Sequence, residues 1–210
     1  MPEDLKERAF ALLVDNVEGR GRRLSTGFSG TRYLLEVLCD HGRDDLAYAI
    51  ATAEEYPGWG HMRKHQATTL WEHWDLRTGQ AMNSHNHPSL ASVGGWFMKY
   101  LAGIRPDEHR PGFQHVVFAP FFPPGLNSAA GRQQTVRGLA SSSWHRCRGK
   151  IELDLAVPSG CSAELRLPGC IQSASFGEPA ECLILNNLKP IALPEGETAW
   201  KILLTDKSPL

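Results

Sequence analysis

The sequence lacks a hydrophobic run long enough to cross a bilayer, and it lacks an excess of charge of either sign. A membrane-spanning helix needs about 20 consecutive apolar residues, and no such run occurs among the 210 residues. Lysine and arginine together number 22 against 23 acidic residues, which leaves a formal net charge of -1. This balance gives no electrostatic footprint for nucleic acid or for an anionic membrane, so the ligand is not expected to be a polyanion.

Two further absences concern the cell compartment. The amino-terminal residues have neither the basic start nor the apolar core of a signal peptide. The cysteines are odd in number and form no C-x-x-C pair, which argues against a disulfide framework and against a zinc ribbon. They are Cys39, Cys147, Cys161, Cys170 and Cys182. Together these features predict a soluble protein of the cytoplasm, with no nucleic-acid or membrane partner.

What the chain does contain is enough apolar residues for a sizeable core. Hydrophobic residues make up 41% of the chain and charged residues 21%, which is typical of one or two globular domains. In the first half, apolar residues recur at three- and four-residue spacing, as in amphipathic helices. The predicted helices cover about residues 5–17, 29–38, 44–53 and 87–101, with Ser29 as a candidate N-cap and Gly94-Gly95 as a sign of close packing.

The pattern changes beyond Ile104, where turn signals and short runs of period two replace the helical spacing. The clearest strands are 151–157 and 163–167, in which apolar and charged residues alternate. Further candidate strands are 113–118, 135–144, 182–185 and 199–204. We therefore predict a helical domain over residues 1–108 and a two-sheet antiparallel β-sandwich over residues 109–210.

Tryptophan and histidine are concentrated between Trp59 and His87. This segment holds three of the six tryptophans and five of the nine histidines, with Glu72 between Trp71 and Trp74. Flat aromatic faces beside carboxylates and imidazoles suit a sugar, whose C–H faces stack while its hydroxyls take hydrogen bonds. Partial desolvation of Glu72 by the two indoles would adapt it to acid or base chemistry.

Two other interpretations of the same segment stay open at this point. Trp71 and Trp74 are three residues apart, so they can equally be a stripe of core residues with Glu72 in solvent. His61 and His65 at i, i+4 could share a helix face and, with His85 or His87, bind a metal ion. No H-E-x-x-H motif accompanies them.

Five short segments of the first half occur in the order and spacing of a known enzyme family. They are Thr26-Gly-Phe-Ser-Gly-Thr31, Glu54-Glu-Tyr-Pro-Gly-Trp59, Ala67-Thr-Thr-Leu-Trp-Glu-His-Trp-Asp75, Asn86-His87 and Val93-Gly-Gly-Trp96. In this register they resemble the carboxyl-terminal part of bacterial α-L-rhamnosidases, glycoside hydrolase family 78. Downstream, Pro111-Gly-Phe, the Pro120 segment and Ala140-Ser-Ser-Ser-Trp144 resemble the small sandwich that follows the barrel in that family.

The resemblance implies a six-hairpin (α/α)6 barrel and an inverting hydrolysis of terminal α-L-rhamnosyl groups. It makes Glu72 the general base, which deprotonates the attacking water. It also implies contacts of the sugar with Asn86 and His87 and with the indoles Trp59, Trp71 and Trp74. Two carboxyl groups supply both proton transfers in such a site, so no cofactor and no metal ion are expected.

The sequence departs from the family pattern at two positions. His73 follows Glu72 where the family usually has arginine, so a titratable group replaces a permanent cation. Pro88 follows His87 where the family tends to have an aromatic residue, which fixes the chain at that point. The first departure bears on Glu72 as the base, and the second bears on the contacts of His87 with the sugar.

A count of helices indicates that only part of the barrel is present. Twelve helices of about 11 residues with loops of about 4 need roughly 180 residues, and about 108 precede the sandwich. The family's general acid, which lies in an upstream Asp-rich motif, has no counterpart in residues 1–25. We therefore expect an α+β chain with a partial barrel, inactive alone, that self-associates or is completed by another polypeptide. The alternative is a non-catalytic carbohydrate-binding or structural remnant.

Overall fold

The computed structural model describes residues 2–81, 83–176, 181–184, 189–193 and 199–206. The chain divides into two compact units, Met1–Trp96 and Phe97–Leu210. The first unit is helical, and the second consists of two β-sheets preceded by one π-helical turn. No helix within the described ranges is both long enough and apolar enough to span a membrane.

Among its described residues, the first unit contains five α-helices. They are α1 (Glu3–Gly19), α2 (Phe28–Asp40), α3 (Asp44–Thr52), α4 (Trp59–Lys64) and α5 (Ser92–Trp96), with a 3₁₀ turn at Gly79–Ala81. The first three confirm the helices that the apolar spacing predicts. The core of the unit consists of apolar side chains that are at most 1% exposed: Leu38, Leu46, Ile50, Met62, Leu90 and Trp96.

The prediction of a long helix over residues 87–101 is wrong. Residues 88–91 form turns, α5 begins only at Ser92, and Phe97–Leu101 is a π-helical turn of the second unit. The backbone N–H of Ser89 donates to Nδ1 of His87 over 3.3 Å, a local side-chain bond that competes with helix formation. Gly94 and Gly95 do not mark close packing, because a Cβ at either position would meet no described atom within 4 Å.

Helix α4 occurs where two glycines weaken the intrinsic helix propensity. A Cβ on Gly60 would lie 2.5 Å from the Ala53 carbonyl oxygen, so the backbone passes close to the end of α3 there. Ser29 is not the N-cap of α2; that position is held by Gly27, without a side-chain hydrogen bond. The approach of Gly60 to Ala53 fixes the path of the chain at the start of α4, where local helix propensity is low.

Helix α1 exposes much of the apolar stripe that its sequence predicts. The side chains of Leu5 and Leu12 are 44% and 67% exposed, and in this helix only Val17 is buried. Apolar residues at helical spacing normally face a core. The stripe is therefore largely uncovered among the described residues.

Ten strands are present in the described part of the second unit. They are β1 (Ile104–Pro106), β2 (His115–Phe118), β3 (Ser128–Thr135), β4 (Gly138–Cys147), β5 (Lys150–Ala156), β6 (Ser162–Leu165), β7 (Ile171–Phe176), β8 (Glu181–Ile184), β9 (Ile191–Leu193) and β10 (Ala199–Asp206). One sheet has the order β1-β2-β6-β9 and the other β3-β4-β5-β10-β7-β8. Side chains of both sheets share one apolar core, which includes Phe118, Trp144 and Leu153.

The alternating pattern predicts the central strands well, and two details differ. In β5, Ile151, Leu153 and Leu155 are buried while the charged residues between them face outward, as predicted. The strand predicted from residue 135 to 144 corresponds to β4, which begins only at Gly138 after a turn at 136–137, and the strand before this turn, β3, was not predicted. The sandwich is not purely antiparallel, because β2 and β6 are parallel.

Candidate active site

Two non-helical segments of the helical unit, residues 69–72 and 84–87, lie side by side. The backbone N–H of Glu72 donates to the Ser84 carbonyl over 2.9 Å, and that of His87 donates to the Leu70 carbonyl over 2.8 Å. The hydroxyl of Thr69 donates to the His85 carbonyl. These bonds close the loop between the segments and bring the predicted base and the Asn86-His87 motif together.

Glu72 is half-buried, and one of its carboxylate oxygens is held by the backbone. Oε2 accepts a hydrogen bond from the Ser84 N–H over 3.1 Å. Oε1 has no hydrogen bond to any described residue. A carboxylate fixed through one oxygen keeps lone pairs on the other for a water molecule.

The indoles of Trp74 and Trp59 pack edge to face beside this loop. Their ring centroids are 5.2 Å apart with an interplanar angle of 89°, a favoured aromatic geometry. Nε1–H of Trp74 donates to the Thr26 carbonyl over 2.9 Å, and that of Trp59 donates to the Leu90 carbonyl over 2.9 Å. Trp74 is 7% exposed whereas Trp59 is half-buried, so Trp59 has the more accessible ring.

Trp71 is also a buried residue, with 5% of its surface exposed. Its ring lies 6.0 Å from the ring of His85, measured between centroids. Nε2–H of His85 donates to the Arg77 carbonyl over 2.6 Å, which holds the loop from a second side. Burial of both Trp71 and Trp74 favours the interpretation that they pack the loop, and leaves little of their surface for a ligand.

His87 and Asn86 differ in exposure. His87 is half-buried, its ring meets that of Phe28 edge to face at 5.3 Å, and its Nδ1 accepts from Ser89. In neutral His87 the proton therefore resides on Nε2, which is a donor. Asn86 is exposed, and its backbone N–H donates to Oγ of Ser84 over 3.1 Å. Both residues present polar groups on the same loop as Glu72.

The other acidic residues near this loop are ion-paired. Arg77 donates to Asp75 over 2.9 Å, and this hydrogen bond holds the pKa of Asp75 below its ordinary value. Lys64 donates to Glu55 over 2.8 Å and likewise lowers the pKa of that carboxyl. Glu54 pairs with Arg63 over 2.8 Å. The lowered pKa keeps Asp75 and Glu55 ionised near neutral pH, unlike a general acid, which needs a raised pKa.

The structure brings together only two of the histidines considered as metal ligands. The rings of His61 and His65 are 4.2 Å apart, and Nδ1–H of His65 donates to the His61 carbonyl over 2.9 Å. Burial, and secondly the charge of His65, lowers the pKa of His61. Within the described ranges, no group of three His, Cys, Asp or Glu side chains could hold a metal ion. The metal interpretation therefore has no support in this part of the chain.

Sequence reasoning missed the contribution of Ser84. Its N–H and carbonyl both bond to Glu72, and its hydroxyl accepts from Asn86. No residue type announces such a role, since any residue except proline has the same backbone groups. In the sequence, the one indication of this role is that Ser84 lies two positions before the Asn86-His87 motif.

Two protein-family models match this chain, one after the other along the sequence. Residues 1–101 match the bacterial alpha-L-rhamnosidase 6 hairpin glycosidase domain, and residues 103–177 match the bacterial alpha-L-rhamnosidase C-terminal domain. A curated alpha-L-rhamnosidase of Streptomyces avermitilis is 35% identical over 175 residues, which are 80% of this chain and 17% of that protein. One from Formosa agariphila is 32% identical over 174 residues, covering 80% of this chain and 19% of its own length.

Two solved structures have the same fold. The alpha-L-rhamnosidase from Dictyoglumus thermophilum superposes with a TM-score of 0.86 at 30% identity, over 98% of this chain and 24% of that one. The Streptomyces avermitilis alpha-L-rhamnosidase, solved in complex with L-rhamnose, gives a TM-score of 0.81 at 30% identity, over 97% and 20%. The chain thus spans about a fifth of the length of the curated relatives it matches.

Proposed function

The chain belongs to the bacterial α-L-rhamnosidase family, whose six-hairpin and C-terminal domains it matches in order, and we propose that it carries the base half of a rhamnosidase site. The reaction is the inverting hydrolysis of terminal α-L-rhamnosyl groups. The carbohydrate is the ligand of this site. The observation that carries the proposal is the position of Glu72, fixed by Ser84 through one oxygen.

Glu72 acts as the general base. Its free oxygen accepts a proton from a water molecule, whose oxygen then attacks the anomeric carbon as the glycosidic bond breaks. A second carboxyl group, about 6.5–9.5 Å away in inverting enzymes, protonates the leaving oxygen. The backbone bond from Ser84 orients Glu72 before substrate arrives, so little reorganisation is needed in the transition state.

Sugar contacts come from the residues around the base. Nε2–H of His87 and the side-chain amide of Asn86 donate hydrogen bonds to hydroxyl groups. The half-buried ring of Trp59 offers a face for stacking, as aromatic residues do in sugar sites. The buried Trp71 and Trp74 hold the segment that carries Glu72 and close the wall of the pocket with their edges.

The general acid comes from another polypeptide segment. Asp75, Glu54 and Glu55 are all ion-paired, and the lowered pKa of Asp75 and of Glu55 keeps these groups ionised. The exposed apolar stripe of α1, with Leu5 and Leu12, is available to pack against the remaining barrel helices. The chain alone therefore binds sugar without turning it over, and it self-associates or pairs with a polypeptide that completes the barrel.

The test is a chimera in which this chain replaces the corresponding carboxyl-terminal part of the Streptomyces avermitilis enzyme. The chimera should hydrolyse a chromogenic aryl α-L-rhamnoside, and the change Glu72→Gln should reduce kcat by about 10²–10⁴-fold. Glu54→Gln, an exposed carboxylate of the same unit, is the matched control and should leave kcat within about twofold. A chimera whose turnover survives Glu72→Gln would exclude Glu72 as the base.

A second candidate function is a non-catalytic carbohydrate-binding module. It is favoured by the ion pairing of every other carboxyl group considered for the acid. In this case L-rhamnose shifts the amide resonances of residues 59–87 in the chain alone, but the chimera shows no turnover despite being folded. Turnover by the chimera would reject this alternative.

A further inference from the structure

The outer face of the six-stranded sheet is recessed. A cavity of about 440 Å³ lies across β3, β4, β5 and β10, and three consecutive residues of each strand line it. Its volume is within the range of small-molecule sites. The cavity belongs to the sheet unit alone and does not involve Glu72 or the loop around it.

The recess arises from the size of the outward-facing side chains. In β4, Ala140, Ser142 and Trp144 are buried, so Ser141 and Ser143 face outward. Ala156 of β5 and Ala199 of β10 continue the row that begins with Ser141. Central strands usually present β-branched or aromatic residues. Small residues on neighbouring strands therefore leave a hollow that larger side chains would fill.

Polar side chains surround this floor. Ser143, Asp154 and Lys201 occupy one cross-strand row, and Arg132 lies opposite Ser141 at the other side. Among the described residues, none of these side chains has a hydrogen bond or ion pair. The hydrogen-bonding groups of these four side chains therefore lie around one hollow without a partner among the described residues.

The spacing of the charges argues against a small anion. Arg132 is on β3 and Lys201 on β10, three strands apart, which at about 4.8 Å per strand is roughly 14 Å. A small anion could meet both cations only if both long side chains extended toward each other across the hollow. Lys201 is directly opposite Asp154, whose carboxylate offsets its charge. The side chains around the hollow thus include a carboxylate acceptor, hydroxyl groups and two separated cationic donors. This combination suits an uncharged sugar, because each sugar hydroxyl is both a donor and an acceptor.

We propose that this cavity is a second carbohydrate site, which takes one or two uncharged sugar units. Asp154 accepts from two neighbouring hydroxyls, Lys201 and Ser143 donate beside it, and Arg132 contacts the far side of the ring. Trp200, the aromatic residue of the described lining, is 7% exposed and packs in the apolar core, so no aromatic face stacks on the sugar and binding is weak, with millimolar affinity. The inference does not depend on the proposed role of Glu72.

The test is an amide NMR titration of the full chain with D-glucose, with L-rhamnose and with inorganic phosphate. A neutral sugar should produce saturable shifts at residues 130–132, 141–143, 154–156 and 199–201. Asp154→Asn should weaken this affinity about tenfold, since a charged acceptor is lost. Glu152→Gln, two residues earlier on the same outward face but outside the cavity lining, should change it less than twofold.

Three outcomes would overturn the proposal. They are the absence of saturable shifts at these residues with either sugar, shifts with phosphate only, and equal weakening by Asp154→Asn and Glu152→Gln. L-Rhamnose shifts confined to residues 59–87 would reject this cavity while leaving the function proposed for Glu72 intact. A third variant, Ala156→Leu, fills the recess and should abolish the shifts while the dispersion of the spectrum is kept.

Discussion

The indole of Trp74 donates a hydrogen bond to the backbone carbonyl of Thr26, 48 positions earlier in the chain, over 2.9 Å. Thr26 in turn shares a hydrogen bond of 2.7 Å between its hydroxyl and that of buried Thr31 in α2. Trp74 follows Glu72 by two residues. This one side chain therefore anchors the segment of the proposed base to the start of α2.

We expect Trp74→Phe to lower the free energy of unfolding by about 1 kcal/mol, because the Thr26 carbonyl loses its indole donor and keeps only the bond of 3.3 Å from the Thr31 hydroxyl. Trp74→Ala should lower it by about 3–5 kcal/mol, since it also leaves a cavity. Urea unfolding followed by circular dichroism measures both changes. Tyr33→Phe, at an exposed aromatic position, should stay within about 0.5 kcal/mol. Equal stability of Trp74→Phe and the unsubstituted chain would show that the bond contributes nothing.

Glu72→Gln should leave the free energy of unfolding within about 0.5 kcal/mol, because an amide oxygen still accepts from the Ser84 N–H. Glu72→Ala removes that acceptor and should cost about 1 kcal/mol. Chemical denaturation of the two variants side by side gives the difference. If the glutamine variant is as unstable as the alanine variant, the charge is needed for folding and loss of turnover says nothing about catalysis.

The fold was predictable where one residue pattern dominates. Amphipathic spacing predicts α1 to α3, and strict alternation predicts β5 and β6, because burial of one face decides these elements. Short elements are held by neighbours instead: α4 by the close approach of Gly60 to Ala53, and β9 by pairing with β6. Such contacts join distant residues and leave no local signature.

For the candidate site, the sequence predicts that certain residues lie near one another but not the bonds between them. Clustering of tryptophan and histidine around Glu72 indicates the segment, and the structure places Asn86 and His87 beside it. The clamp by Ser84 is a backbone interaction and has no residue code. Nor does spacing reveal that Trp71 and Trp74 are buried, because the same spacing fits a pocket wall and a core stripe.

Acid should weaken the helical unit through His61. Burial and His65 lower the pKa of His61 in the folded state below its ordinary value of about 6.5, so below about pH 6.5 the unfolded chain binds more protons. The free energy of unfolding should therefore rise with pH through that window and fall as the solution is acidified. His61→Gln should flatten this part of the pH profile, measured by urea unfolding between about pH 5 and pH 7. An unchanged slope would assign the dependence to other groups.

Two glycines of the helical unit should respond to alanine in opposite directions. At Gly60 the added Cβ would lie 2.5 Å from the Ala53 carbonyl oxygen and 2.6 Å from Cα of Glu54, so we expect a loss of about 1–3 kcal/mol. At Gly95 it meets no described atom, and the higher helix propensity of alanine should add up to about 1 kcal/mol. Melting temperatures of the two variants test the pair. A gain at Gly60, or a loss at Gly95, would contradict these contacts.

Strand β10 lies between β5 and β7 in the six-stranded sheet, although it is the last of the ten in sequence. Until residues 199–206 have left the ribosome, the nascent chain holds two unfinished half-sheets, β3-β4-β5 and β7-β8. Each half-sheet then has an open edge of unpaired backbone groups, the kind of edge that templates aggregation. During synthesis these open edges are therefore exposed to chaperones until β10 inserts between β5 and β7.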